Sequence, residues 1–336
     1  MYFLETLSMI DFELSSHCNS KCPQCPRYDM QGYVHDNLKV THLDLKLIKK
    51  IPLDKMPNLK KVKFCGNFGD PLMHPALDEI ISFFKNQHIS ISTNASLRST
   101  EWWAKLGTKK NIVVTFCIDG LGVEHELYRR NTSYEKIIKN AEAFIRSGGT
   151  ALWQFIVFKH NEHQTADAKK ISKKMGFREI NFLYSDRFDT SNKWKVYDEG
   201  KYLYDLEESS HQITLRESLG APEGEKYWKS LYKNKGEITC LWSQEKKIYI
   251  HSDGTVYPCC MLGSIQAGDK IQKLLYKKIV KDFTNIDLHH HDLQQILVSD
   301  VFKKNLPDSF NANPFQHPVC IEYCNKVTGK TYYTKI

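Results

Sequence analysis

Long apolar runs are missing from this chain of 336 residues. No stretch approaches the ~20 apolar residues that a membrane-spanning helix needs, which argues against a membrane-spanning protein. The sequence also lacks an apolar signal segment at its start, internal repeats and low-complexity tracts. Ten cysteines without a secretion signal therefore predict reduced or metal-bound thiols in the cytoplasm instead of disulfides.

The bulk composition is that of an ordinary globular protein, with 41% hydrophobic and 26% charged residues. The length exceeds the size at which one hydrophobic core usually stops growing, so two domains are expected. The formal net charge is +8, which is compatible with an acidic partner or nucleic acid. Because the lysines are scattered and form no single basic stripe, nucleic acid is not the expected partner.

Short apolar strands alternate with amphipathic helices through the first half of the chain. Such an order indicates βα units with a parallel sheet, hence an α/β fold. The predicted strands are Met9–Leu14, Val62–Cys65, Ile89–Ser92, Ile112–Ile118, Leu152–Phe158 and Ile180–Tyr184. The predicted helices are Leu43–Lys50, Leu77–Asn86, Thr100–Leu106, Tyr134–Ser147 and Glu162–Met175.

A C-x3-C-x2-C triplet, formed by Cys18, Cys22 and Cys25, directly follows the first predicted strand. Cysteine thiolates are the ligands of iron–sulfur clusters, so three on one loop can hold three irons of a [4Fe–4S] cube and leave the fourth iron open. Zinc is the alternative, with His17 as a conceivable fourth ligand, but zinc sites usually show two C-x2-C pairs or added histidines. The triplet therefore favours a cluster that can bind a small chelating molecule.

The spacing of the triplet resembles the signature of the radical S-adenosylmethionine (SAM) superfamily, in which SAM occupies the open iron. The resemblance implies a partial (β/α)6 barrel, which the six predicted βα units match. It implies that the reduced cluster cleaves SAM to a 5′-deoxyadenosyl radical, which takes a hydrogen atom from the substrate. A flavodoxin- or ferredoxin-type protein is then the expected electron donor.

Two segments at predicted strand ends are similar to SAM-binding segments of that family. The stretch from Phe64 to Leu72 resembles its glycine-rich motif, which normally ends Gly-Glu-Pro; here the acid is Asp70, and one residue is inserted. The stretch Ser92-Thr93-Asn94 ends the third strand. The resemblance implies SAM contacts from Gly66, Gly69, Asp70, Ser92 and Asn94.

A third segment follows the fourth predicted strand, where Cys117-Ile118-Asp119-Gly120 replaces the family's common Ser-x-Asp-Gly. Beyond it, Arg129 matches an arginine that family members use on the SAM carboxylate, and an Arg fork suits such bidentate binding. Arg130 is the neighbouring alternative. The resemblance therefore adds Cys117, Asp119 and Arg129 to the expected SAM site.

The last hundred residues contain a second cysteine set, Cys240, Cys259, Cys320 and Cys324, with a hairpin signal at Asp253-Gly254. The pattern resembles the twitch module, the short form of the SPASM extension, and implies one auxiliary [4Fe–4S] cluster that passes electrons. A four-cysteine zinc site is the alternative. Cys260 competes with Cys259 as ligand, although only Cys259 fits Gly-x4-Cys.

These features predict a radical SAM barrel at 1–188, a connector with one or two helices at 189–239, and a twitch-like domain of hairpin plus helix at 240–336. Cys65, Cys117 and Cys260 are most simply small buried side chains. The run His289-His290-His291 reads as an exposed polar loop. The candidate general acids or bases Asp186, Asp253 and Tyr257 cannot be ranked from the sequence.

The favoured function is a radical SAM oxidoreductase that acts on a small sugar-like molecule. This preference comes from the resemblance, because known twitch enzymes include dehydrogenases of sugar-like alcohols. A peptide maturase that oxidises or cross-links a ribosomal peptide is the close alternative. A non-catalytic zinc or iron–sulfur binding protein is the alternative from another class.

Overall fold

The computed structural model describes residues 2–185, 187–189, 191–219, 238–264, 270–311 and 316–324. Its described residues form two compact units, one from 2–12, 43–61 and 238–324, the other from 13–42 and 62–219. The boundaries at 188 and 239 stay a prediction. Asp186 and the glycine-containing stretch 220–224 of the predicted connector lie outside the described residues.

A parallel sheet forms the centre of the second unit, and its five strands lie side by side in chain order. Parallel registers pair Ser92 with Thr115, Phe116 with Trp153, and Phe155 with Phe182. The strands are β2 (Lys61–Cys65), β3 (His88–Thr93), β4 (Ile112–Cys117), β5 (Thr150–Val157) and β6 (Glu179–Tyr184). Along β5 buried and half-buried residues alternate, as expected for a strand with one face against helices.

The helices of this unit cover one face of the sheet with apolar side chains. In α5, Ile137, Ala141 and Phe144 are buried on one side, and the Ser133 hydroxyl accepts a hydrogen bond from the Lys136 amide as N-cap. Aromatic rings fill the layer between helix and sheet: Trp103 lies 5.1 Å from Phe116 between centroids. The helices are α2 (Leu77–Phe83), α3 (Thr100–Gly107), α4 (Val123–Tyr128), α5 (Tyr134–Arg146), α6 (Thr165–Met175) and α7 (Ser210–Leu219).

A two-stranded antiparallel hairpin, β7 (Lys193–Asp198) and β8 (Lys201–Glu207), stands where only helices were predicted. The turn places Glu199 and Gly200 at positive φ, 50° and 84°. Val196 and Leu206 are buried, and the residues on either side of each are half-buried or exposed. The prediction of a purely helical connector was therefore wrong for this stretch, because alternating residues around a Glu-Gly turn favour a hairpin. Among the described residues of the predicted connector, α7 is the one helix.

The first unit contains β1 (Met9–Glu13), β9 (Lys247–Ile250) and β10 (Val256–Tyr257), in the order β10-β9-β1. The β1 and β9 strands are parallel, with Ile10 opposite Ile248, and β9 and β10 form the predicted antiparallel hairpin. Its described helices are α1 (Leu45–Lys49), α8 (Leu241–Gln244), α9 (Cys260–Gly263), α10 (Lys270–Val280), α11 (Leu293–Leu297), α12 (Leu306–Asn311) and α13 (Pro318–Cys324).

The six predicted strands and five predicted helices are confirmed, with ends displaced by a few residues. Single-turn helices of other types occupy Leu4–Thr6, Leu53–Lys55, Pro71–Met73, Glu162–Gln164, Phe283–Ile286 and Val301–Asn305. No helix within the described residues is both long and apolar enough to cross a membrane.

Candidate active site and C-terminal cysteine cluster

The cysteine loop follows β1 and is fixed by backbone hydrogen bonds. The Ser16 amide donates to the Thr41 carbonyl at 2.9 Å, and the Lys21 amide donates to the Arg130 carbonyl at 2.9 Å. Within the triplet, the Cys25 amide donates to the Cys22 carbonyl at 3.1 Å. Cys22 is buried, whereas Cys18 and Cys25 are partly exposed.

The charge of Cys22 disfavours the ionised forms of Cys18 and Cys25. Burial, followed by the charge of Cys22, raises the pKa of Cys25 to about 11. Burial, with Asp70, Cys22 and Cys25, raises the pKa of Cys18 well above its ordinary value. Thiolates in such a setting need a cationic partner, and irons supply one, since metal coordination deprotonates a thiol outright.

The described residues contain no group of three His, Cys, Asp or Glu side chains gathered tightly enough for a single metal ion. A [4Fe–4S] cube takes each cysteine on a different iron, so the three sulfurs need not converge on one point. The His17 ring stacks on His42 with 4.4 Å between centroids. Three thiolates on this loop are therefore compatible with such a cluster.

Polar groups from other strands approach the cysteine sulfurs. The side-chain amide nitrogen of Asn94, which follows β3, lies 3.8 Å from Sγ of Cys18. It also donates a hydrogen bond to the side-chain oxygen of Asn19 at 3.0 Å. Nη1 of Arg129 lies 3.7 Å from Sγ of Cys22. Two predicted SAM-site residues thus lie beside the cysteine loop.

The glycine loop after β2 packs against the start of the cysteine loop. A Cβ at Gly66 would lie 1.7 Å from the Gly69 carbonyl oxygen, and one at Gly69 would lie 2.1 Å from the Ser15 carbonyl oxygen. Oε1 of Glu13, a fully buried residue, accepts from the amides of Phe68 at 2.6 Å and Gly69 at 3.0 Å. Only glycine permits this close backbone approach.

Asp70 joins two strand ends instead of presenting its carboxylate to an open site. Its oxygens accept from the Leu72 amide at 2.9 Å, the Thr93 hydroxyl at 2.8 Å and the Asn94 amide at 2.8 Å. Burial raises its pKa, and these hydrogen bonds oppose that effect. Ser92, one residue before Thr93, is half-buried and stands opposite Thr115 of β4.

The end of β4 holds an arginine–carboxylate pair. Nε of Arg129 lies 2.5 Å from Oδ2 of Asp119, and Oδ1 of Asp119 accepts from the Ile156 amide at 2.6 Å. Cys117 is buried beside them, and burial raises its pKa to about 12. Arg130 instead pairs with Asp198 of the β7–β8 hairpin at 2.8 Å. Of the two candidate arginines, the structure thus places Arg129 beside the cysteine triplet.

The four C-terminal cysteines come from three separate segments of the first unit. A hydrogen bond from the Cys324 thiol lowers the pKa of Cys240. Burial raises the pKa of Cys259, and Cys240 and Cys320 add to the effect. The four sulfurs therefore share one region.

The other singled-out residues of this unit are in local contacts. Cys260 begins α9 and is 8% exposed, while Cys259 is the N-cap of that helix. Asp253 lies 3.0 Å from Nδ1 of His251 in the hairpin, and Tyr257 is 1% exposed. His289 is exposed and lies 2.8 Å from Asp287, in keeping with a polar loop. Cys65, Cys117 and Cys260 are all buried, as predicted.

The sequence reasoning missed Glu13, Ser20 and Arg27, which support these loops. Nη1 of Arg27 donates to the carbonyl oxygens of Ser16 and of Phe68, the latter at 3.1 Å, so it ties the cysteine loop to the glycine loop. One signal was present: Glu13, like Asp11, is a charged residue in a strand whose other members are apolar, a few residues before the triplet.

Comparison with known proteins agrees with this geometry. A family model for the radical SAM superfamily matches residues 12–182, about half of the chain. The chain belongs to the radical SAM superfamily. A second model, the SPASM iron–sulfur cluster-binding domain, matches residues 240–326. The α/β radical SAM fold, the SPASM/twitch domain and the predicted cofactors, SAM with its [4Fe–4S] cluster and an auxiliary cluster, are thereby confirmed for the chain as a family member.

Three proteins are similar to the chain along most of its length. A cysteine-type anaerobic sulfatase-maturating enzyme of Clostridium novyi (strain NT) is 23% identical over 325 residues, covering 85% of this chain and 84% of that protein. SuiB of Streptococcus suis, solved with S-adenosylmethionine, is 15% identical, with a TM-score of 0.56 and coverage of 89% and 67%. Native anSMEcpe with bound AdoMet is 18% identical, with a TM-score of 0.56 and coverage of 95% and 89%.

Proposed function

We propose that the chain is a radical SAM maturase that modifies a side chain of a peptide or protein substrate. The observation that carries the proposal is the similarity to the sulfatase-maturating enzyme, which extends over both the barrel and the C-terminal cysteines. SuiB was solved with the precursor peptide SuiA, and anSMEcpe with the Cp18Cys peptide. The small sugar-like substrate predicted from the sequence has no comparable support.

In this proposal Cys18, Cys22 and Cys25 hold the cluster that binds SAM. Their mutual proximity, the raised pKa values of Cys18 and Cys25 and the adjacent side chains of Asn94 and Arg129 support that role. Bound there, the reduced cluster and SAM supply a hydrogen-abstracting 5′-deoxyadenosyl radical. The protein's part is to orient the SAM and substrate and to exclude water.

Arg129 is the proposed partner of the SAM carboxylate. The Asp119 carboxylate accepts a hydrogen bond from Nε of Arg129. The Nη groups of the guanidinium are then left to donate to a ligand beside Cys22. Asp119 then acts by orienting Arg129, and Asp70 acts by holding the ends of β2 and β3 together. Gly66 and Gly69 shape the loop whose backbone meets the SAM amino group; Ser92, Asn94 and Cys117 complete the proposed site.

Cys240, Cys259, Cys320 and Cys324 are the proposed ligands of the auxiliary cluster. With all four positions taken by thiolates, this cluster has no open iron for a substrate. Held by these cysteines, it could accept an electron from the substrate radical, which would make the net reaction an oxidation. An external flavodoxin- or ferredoxin-type protein is the proposed donor for the SAM cluster.

The test uses anaerobically reconstituted protein, SAM and dithionite with synthetic cysteine- or serine-containing peptides deuterated at the side-chain β carbon. We expect 5′-deoxyadenosine that carries deuterium, measured by mass spectrometry. A ring-deuterated aminocyclitol serves as the sugar-like comparison and should give none. Deuterium from the aminocyclitol alone would overturn the substrate class. Iron-loaded protein that cleaves no SAM would favour the non-catalytic alternative.

A further inference from the structure

Ser20 is a buried hydroxyl between the first two cysteines of the triplet, and the proposed SAM contacts leave it without a role. The residue is 3% exposed. Its Oγ lies 3.0 Å from Sγ of Cys22 and 3.1 Å from the carbonyl oxygen of Arg130. The side-chain contacts of Arg129 and Asn94 to sulfurs of the triplet are longer, at 3.7 and 3.8 Å.

The number of available protons decides the direction of this hydrogen bond. A serine hydroxyl has one proton and two lone pairs, and a thiolate is only an acceptor. When Cys22 is a metal-bound thiolate, the bond between them requires the hydroxyl proton to point at the sulfur. The Arg130 carbonyl oxygen then keeps the hydrogen bond from the Lys21 amide at 2.9 Å. No buried acceptor is left unpaired by this orientation.

We propose that Ser20 donates a hydrogen bond to the Cys22 thiolate and thereby raises the reduction potential of the cluster on Cys18, Cys22 and Cys25. This inference rests on the proposed function, because it requires a cluster at the triplet. Hydrogen bonds to the sulfurs are among the factors that set the potentials of iron–sulfur clusters. A donor stabilises the reduced cluster more, since that state carries one more negative charge.

The redox step is a one-electron transfer in which no bond of Ser20 forms or breaks. The oxidised cluster, [4Fe–4S]2+, takes one electron from the external flavodoxin- or ferredoxin-type donor and becomes [4Fe–4S]+. Ser20 keeps its proton throughout. Its role is to make the electron transfer less unfavourable for a donor of limited reducing power. Ser20 acts through the Cys22 thiolate and makes no contact with the substrate.

The experiment is a redox titration of the reconstituted protein without SAM, followed by the electron paramagnetic resonance signal of the reduced triplet cluster. The Cys320→Ala/Cys324→Ala background removes overlap from the second cluster. Ser20→Ala should load the same iron but lower the midpoint potential. At a fixed solution potential we expect a several-fold to tenfold lower ratio of reduced to oxidised cluster; tenfold corresponds to about 59 mV for one electron.

Ser16→Ala is the matched control, because Ser16 is an equally buried hydroxyl of the same loop. Its Oγ lies 2.9 Å from the Lys39 carbonyl oxygen and 3.1 Å from that of Thr41, donates its one proton to either, and accepts from the Thr41 amide, so its loss removes no hydrogen bond to sulfur. We expect lower stability but the parent potential. Ser20→Thr retains the hydroxyl and should retain the parent potential.

Three results would overturn the proposal: a parent potential in Ser20→Ala, an equal shift in Ser16→Ala, or a lowered potential in Ser20→Thr. If Ser20→Ala does not load iron, the parent can still overturn the proposal. Its reduced cluster should show a strongly coupled exchangeable proton by electron–nuclear double resonance in H2O that disappears in D2O, and absence of that proton would overturn the proposal. A parent that forms no triplet cluster contradicts the proposed function instead.

Discussion

The two cysteine sites are built in opposite ways. Cys18, Cys22 and Cys25 lie on one loop of the second unit. The polar groups of Arg129 and Asn94 approach this loop, and Cys22 also belongs to a buried cluster with Tyr128 and Phe158. The four C-terminal cysteines come from three segments of the first unit and lie among aromatic rings. Tyr276, which is 1% exposed, stacks on Tyr257 with 5.8 Å between centroids, and Cys259 and Cys320 contribute to the raising of its pKa.

This contrast explains how one chain can use the same kind of cofactor twice for different purposes. A single loop supplies thiolates from one side only, so the other side of a cube is accessible to a ligand. Ligands from three segments could approach a cube from several sides and take all four of its irons. Since exposure, charge and hydrogen bonds set cluster potentials, the two sites are expected to differ in potential as well as in access.

The strongest way to separate the sites is to remove the triplet. Replacing Cys18, Cys22 and Cys25 together with alanine should leave one cluster by iron and sulfide analysis and abolish formation of 5′-deoxyadenosine, since no iron remains for SAM. The C-terminal cluster should persist because its cysteines belong to the other unit. Retained SAM cleavage by this triple variant would contradict the assignment.

The converse change should spare SAM cleavage. The Cys320→Ala/Cys324→Ala variant should lose the auxiliary cluster yet still form 5′-deoxyadenosine, while oxidised product from the peptide should fall to background. Cys260→Ala is the matched control and should keep both clusters, whereas Cys259→Ala should behave like the double variant. A normal product yield without the auxiliary cluster would show that this cluster is structural and would remove the reason for an oxidative reaction.

A smaller effect is expected from the arginine of the active site. Arg129→Ala should weaken SAM binding about ten- to a hundredfold, because loss of a charge-assisted hydrogen bond costs roughly 1.5–3 kcal/mol. Equilibrium dialysis with oxidised, reconstituted protein measures the affinity directly.

Arg130→Ala is the control for that measurement. Arg130 pairs with Asp198, whose side chain is 31% exposed, and a pair of this kind contributes about 0–1 kcal/mol to stability. SAM affinity should stay close to that of the parent. Equal losses in the two variants would indicate that both act through the shape of the loop.

The repeating half of the fold could be predicted because its signals are local. Apolar runs such as Ile112–Cys117 and amphipathic stretches such as Tyr134–Arg146 specify strand and helix within a few residues. The cysteine triplet was equally local, since its spacing alone suggests a cluster ligand set. The β7–β8 hairpin was missed because charged residues on both strands obscure the alternation of Val196 and Leu206.

The finer roles in the site could not be read from the sequence because they depend on long-range contacts. Asp70 matches the acid of a ligand-binding motif, yet its carboxylate bonds to Thr93 and Asn94, more than twenty residues away. The choice between Arg129 and Arg130 depends on Asp119 and Asp198, which lie on opposite sides of them in the sequence. The two neighbouring arginines therefore differ in position because their side chains pair with different carboxylates in the folded protein.

The hydrogen bonds that fix the cysteine loop also have a consequence for the spacing of its three thiols. The bonds from the Ser16, Lys21 and Asp70 amides join protein groups to protein groups and need no metal. Fixing a backbone residue costs about 1–2 kcal/mol of conformational entropy, and these bonds offset that cost within the fold. The spacing of the three thiols is therefore set by hydrogen bonds of the surrounding fold as well as by the positions of the cysteines in the sequence.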